Sequence, residues 1–207
     1  IPYGPLQYAG ANFRHLFDQQ GLGQLTLSLR HWRQKTVAGK LLRHVVAWAQ
    51  FTTGMSSPTL EVPSLPLPHL ESRWLASLRE YLASIDAALH LDVTGLPPLE
   101  REHDGYIMEW IVQSDRFKDK EIIRLNYCRL FLNAITLSDL SDTIGTSLDL
   151  GKLNGAPSLV SSKSRWMAVQ QDKPSEAEWR LWKKANEIWS TEEGKLRQPL
   201  GNWLHEL

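Results

Sequence analysis

Ile122-Ile123-Arg124-Leu125-Asn126-Tyr127-Cys128-Arg129-Leu130-Phe131-Leu132-Asn133-Ala134-Ile135 is the stretch on which the fold class turns. Ile122, Leu125, Cys128, Leu132 and Ile135 recur at spacings of three and four, the period of one helical face, and Ile123 and Phe131 widen the stripe. Asp119 or a neighbour is placed to cap the first turn by accepting from its free N–H groups. We read this as the core helix of a mainly α-helical protein, with Arg124 and Arg129 facing solvent.

Downstream, Pro174 and Ser175 are followed by Glu178 in capping-box spacing, and Trp179, Trp182, Ala185 and Trp189 then line one face of a last helix. Upstream, Ile107, Met108, Ile111 and Val112 form one side of a short acidic helix, and Trp74, Leu78, Tyr81 and Ile85 mark another. Residues 55 to 68 hold Pro58, Pro63, Pro66 and Pro68, which remove backbone donors and restrict the residues before them, so a rigid, extended connector is expected. Before it, Leu25, Leu29 and Trp32 predict one helix. After a break at residues 36 to 39, Leu41, Leu42, Val45, Val46, Trp48 and Ala49 predict a second, ending near Gly54.

Gly21 and Gly23 are read as interruptions, residues 1 to 11 as an irregular lead-in, and residues 141 to 164 as a loop or hairpin. Short strands are expected at 134 to 138 and 147 to 150, with another at 89 to 93. The fold class is thus mainly α: an irregular multi-helix module with room for one small β-hairpin. It divides into a basic helical pair (1–54), the Pro-rich connector (55–68) and a C-terminal helical part (69–207), or stands as one domain overall.

The formal net charge of zero hides an asymmetry. Residues 1 to 60 carry six basic side chains (Arg14, Arg30, Arg33, Lys35, Lys40, Arg43) against Asp18; residues 61 to 115 carry ten acids against three arginines. Clustered Lys and Arg form an electrostatic footprint for polyanions. With residues 25 to 50 helical, Arg30 and Arg33 lie one turn apart, as do Lys40 and Arg43, with His44 beside them. These four, Arg30, Arg33, Lys40 and Arg43, are the candidate nucleic-acid contacts. A plain solvated face, or pairing with the acidic block, explains the same charges.

Other chemistry is sparse. No phosphate-binding Gly-rich loop or dinucleotide fingerprint aligns, which argues against nucleotide hydrolysis. Seven scattered histidines and one cysteine offer no zinc spacing, and the acid pairs Asp139/Asp142 and Glu102/Asp104 read as ordinary loop and capping carboxylates. No catalytic residue, metal site or cofactor is expected. Cys128 lacks a basic neighbour to activate it and reads as buried filler in a reducing, intracellular compartment, cytoplasm or nucleus. No apolar run is long enough to span a membrane, so no membrane partner is expected. The chain opens Ile1-Pro2-Tyr3-Gly4 without Met or the regions of a signal peptide, which points to a segment of a longer reading frame. Nine tryptophans are read mostly as core or interface anchors.

Tyr8-Ala9-Gly10-Ala11-Asn12-Phe13-Arg14-His15-Leu16 resembles a worn form of the Gly-Gly-Leu-Gly segment that follows the palm and thumb of non-LTR-type retroelement reverse transcriptases. Arg101-Glu102-His103-Asp104, residues 122 to 132, Thr136-Leu137-Ser138-Asp139 and Leu196-Arg197-Gln198-Pro199-Leu200-Gly201-Asn202-Trp203 are similar to phrases recurring in the same reading frames. The resemblance covers most of the chain and implies a region just downstream of the polymerase domain. That family's Tyr-x-Asp-Asp carboxylate pair is absent, so no catalytic residue carries over. The resemblance implies a non-catalytic thumb- or connector-like segment of an RNA-directed DNA polymerase. Its partners would be template-primer RNA or DNA and the upstream polymerase domain. A helical protein-interaction module, or an inactive relic in view of the departures at Ala9, Ala11 and Asn12, is the alternative.

Overall fold

A computed structural model of the chain describes residues 15–155 and 172–204. The expected lead-in at 1–11 and residues 156–164 of the expected 141–164 loop lie outside them. Eight helices order the described residues: α1 Leu16–Arg33, α2 Val37–Thr53, α3 Arg73–Ser84, α4 Ile107–Gln113, α5 Asp119–Leu132, α6 Leu137–Leu140, α7 Leu150–Leu153 and α8 Glu176–Asn186. The protein is mainly α, as its periodicity predicts.

The expected strands do not form; the described residues hold only isolated bridges, such as Tyr106 with Thr136 and Ser141 with Leu148. At 134–138 and 147–150 local capping explains it. The Asp139 carboxylate accepts from the N–H groups of Ile135 (2.8 Å) and Thr136 (3.0 Å), taking donors a ladder would need and starting α6 instead. Asp149 starts α7 by accepting from Gly151 N–H at 2.7 Å.

Two compact units result, described within the same residues: 15–47, 57–66 and 70–93 form one, and 48–56, 67–69, 94–155 and 172–204 the other. In the first unit α1 runs straight through Gly21 and Gly23, against expectation. Gly21 is required there because the ring of Tyr81 on α3 lies where a Cβ would sit, 2.1 Å away. Close helix packing outweighs the roughly 1 kcal/mol that a glycine costs a helix interior. The start of α3 is capped by the Ser72 hydroxyl, which accepts from Leu75 N–H. It buries Leu75, Leu78, Tyr81 and Leu82 against a core that includes Val46 and Leu60, while Ile85 is left exposed.

Residues 57–66 are not extended. They fold in turns, with Glu61 N–H bonded to the Pro58 carbonyl and Leu65 N–H to that of Val62. The buried Arg79 guanidinium organises them by donating to the carbonyls of Thr59, Val62, Pro63 and Leu65. A Pro-rich segment is short of backbone donors, and one planar five-donor group supplies them.

The second unit packs α4, α5 and α8 around Ile107, Met108, Ile111, Leu125, Cys128 and Leu132, all inaccessible to solvent. Glu178 accepts from the backbone N–H and the hydroxyl of Ser175, closing the expected capping box of α8. Trp182 is fully buried and meets Trp189 edge-on at 6.4 Å between centroids, and Trp110 lies 6.1 Å from Trp189. Burial, with the nearby Glu178 charge, pushes the Cys128 thiol up to about 12, in keeping with filler.

Arg129 does not face solvent; it is 1% exposed beneath the end of α2. Its Nη2 donates to the carbonyls of Thr52 (2.8 Å) and Phe51 (3.1 Å), and its Nε to Asn126 Oδ1 (3.0 Å). Asn126 Nδ2 donates to Thr52 as well, at 3.0 Å, and the ring nitrogen Nε2 of His69 lies 3.0 Å from the Thr53 carbonyl. A helix ends with carbonyls that have no internal partner and a partial negative charge, and a buried cation satisfies both conditions. Burial lowers the guanidinium to about 10, offset in part by Asp139, so it stays charged at neutral pH.

Candidate nucleic-acid interface

The candidate surface is the corner of the first unit where α1 ends and α2 begins. Arg30, His31 and Arg33 occupy the last turn of α1, where the helix dipole favours cations. Thr36 starts α2: its hydroxyl accepts from Gly39 N–H at 3.2 Å and its carbonyl from Lys40 N–H at 3.0 Å. Gly39 lets the two helix ends meet, since a Cβ there would sit 2.3 Å from the Gln34 carbonyl oxygen and 2.4 Å from that of His31.

The four predicted contacts separate. Arg30, Arg33 and Lys40 are exposed. Arg43 is half-buried and already engaged: its Nη2 donates to the Trp32 carbonyl at 2.6 Å, and its guanidinium carbon stands 5.2 Å from the Trp32 ring centroid. That stacked cation closes the last turn of α1 onto α2, so its first role is structural. Among the described residues no ion pair joins any of the four to a carboxylate, whereas Lys195 and Glu193 do pair, at 3.2 Å. The acidic 61–115 block therefore does not neutralise the basic corner through ion pairs there. Several of its acids cap backbone instead: Asp104 accepts from Gly105 and Ser138 N–H, and Glu102 from Asn202 N–H. Burial pushes the Asp104 carboxyl up despite those bonds. Along α1 an open groove lined by His15, Asp18, Leu22, Thr26 and Tyr81 reaches Arg30, so one acid shares that side.

Arg and Lys are the residue types whose donors pair with phosphate. Asp139 and Asp142 both spend oxygens on backbone N–H groups, and among the described residues no group of three or more His, Cys, Asp or Glu is arranged around a cation. No described helix is long and apolar enough to cross a membrane.

The reading from sequence missed one surface. Val37, Leu41 and Val45 are 74%, 61% and 45% exposed along the outer side of α2, and Trp48 continues the line at 42%. Their spacings of four, four and three were visible, but Leu42, Val46 and Ala49 form a second apolar stripe on the same helix and were merged with them. The chain matches no known protein family, no curated protein and no solved structure. The resemblance to retroelement polymerases therefore rests on its phrases alone.

Proposed function

We propose that this chain is a non-catalytic helical segment of a retroelement reverse transcriptase, and that its α1–α2 corner contacts the phosphate backbone of RNA or DNA held by the polymerase. The observation that carries this reading is the exposure of Arg30, Arg33 and Lys40 without a carboxylate partner among the described residues. Exposed, unpaired cations on one corner neutralise phosphates and release the counterions condensed on them, which makes affinity fall with salt. Arg43 serves by holding the two helices in register.

The test is fluorescence anisotropy of labelled single-stranded RNA, duplex DNA and an RNA–DNA hybrid over a range of salt. Binding is expected to weaken steeply with salt, and R30A/R33A/K40A to reduce the slope of log K against log salt by about 2 to 3. An unchanged slope in that folded variant, or no binding by the parent protein at low salt, overturns the assignment.

A further inference from the structure

We propose that the outer face of α2 is a docking ridge for an acidic amphipathic helix of a partner protein. The proposal goes beyond the phosphate reading, since the ridge itself is made of apolar side chains that the phosphate reading does not use. Its ground is the ridge of Val37, Leu41 and Val45, spaced by four and exposed by 74%, 61% and 45%. Residues at i, i+4 and i+8 form the row that fits the groove of a facing helix. The inward side of α2 is apolar as well, with Val46 1% exposed, and helices apolar on both sides are normally covered on both.

Charge selects the occupant. Lys40 and His44 border the ridge, Arg33 and Lys35 lie just before its start, and no Asp or Glu occurs between Asp18 and Glu61. His44 is held in place through its Nδ1, 2.8 Å from the Lys40 carbonyl oxygen. A second copy docking through the same ridge would set the Lys40 side chains of both chains near each other, a like-charge arrangement that disfavours self-pairing. A helix with an apolar stripe flanked by Glu or Asp satisfies both the ridge and its basic border.

The probe is a fluorescein-labelled designed helical peptide with Leu along one stripe and Glu on its flanks, compared with the same peptide carrying Lys in place of Glu. Saturable binding of the Glu peptide, weak binding of the Lys peptide, and a loss of about tenfold or more in L41S/V45S are expected. These positions are exposed, so an unchanged thermal melt shows that the variant is folded. A parallel R30A protein, impaired in the phosphate reading and outside the ridge and its border, is expected to keep its peptide affinity, which separates failure of one proposal from failure of the other. Absent or equal binding of the two peptides overturns the proposal. So does either of two effects abolished by L41S/V45S: concentration-dependent dimerisation, or adsorption to phosphatidylserine-containing vesicles.

Discussion

Arg129 on α5 donates through Nη2 to the main-chain oxygen of Thr52 at 2.8 Å, so a buried cation closes the C-terminal end of α2. Its donor contacts to Phe51, Thr52 and Asn126, each worth roughly 1.5 to 3 kcal/mol when the donor is charged, oppose a desolvation cost of several kcal/mol. We expect Arg129→Met, which keeps the volume but removes every donor, to lower unfolding free energy by about 3 kcal/mol or more in urea titration. Its folded pKa of about 10 lies below the ordinary guanidinium value, so the unfolded chain binds more protons only between the two and stability from this group rises with pH there. At neutral pH both states are protonated. Stability that varies with pH near neutrality must come from other groups.

Gly21 and Gly23 provide a matched pair on α1. Gly21→Ala places a Cβ 2.1 Å from the Tyr81 ring and should cost about 1 to 3 kcal/mol. Gly23→Ala meets nothing within 4 Å and should stabilise by about 0.8 to 1 kcal/mol through helix propensity. Thermal melts of the two variants shifting in the same direction would contradict the packing of α1 on α3.

Arg79→Ala removes the donors that hold residues 57–66 in turns. Amide exchange at Glu61 and Leu65, whose N–H groups close those turns, is expected to quicken by at least about tenfold, while Leu78 and Leu82 in α3 change less. Uniform quickening across α3 would mean that Arg79 supports the whole unit instead of this segment.

Cys128 has no solvent exposure and a thiol pushed up to about 12. It should resist a thiol reagent in the native protein at pH 8 and react fully in denaturant. Rapid native labelling would place it outside the α5 core.

Removing the cap at the start of α8 has a dated signature in pH. Ser175→Ala should cost about 1 kcal/mol. Glu178 is held below its ordinary 4.5 chiefly by the Ser175 hydroxyl, then by the Ser175 backbone N–H. A lowered acid pKa contributes stability above the unfolded value that is lost as pH falls through the folded one, so the deficit of the variant should shrink as the solution is acidified below the ordinary carboxylate value. A constant difference down to pH 3 would show that this carboxylate is not part of the cap.

Local periodicity sufficed for α3, α4, α5 and α8, because an apolar stripe at helical spacing is a property of adjacent residues and their caps. The Ser175 and Glu178 box was legible for the same reason. Gly21 was misread because its effect on α1 depends on Tyr81, sixty positions away. The strands expected near 134–138 and 147–150 failed to a capping aspartate in each case, a local competitor that alternation alone does not reveal. Of the candidate site, the sequence supplied which residues are basic; it did not separate Arg43, drawn onto Trp32, from Arg30, Arg33 and Lys40.

By itself, then, the sequence determined a mainly helical protein, the location of most of its helices and a basic N-terminal third, all of them set by neighbours within a few residues. Only tertiary structure decided which arginines go inside. Arg79 and Arg129 are buried where distant carbonyls lack donors, and no spacing rule along the chain records where those carbonyls come to rest. It also decided that α2 turns one apolar stripe inward and leaves the other in water, because two stripes on one helix are equivalent until a core claims one of them.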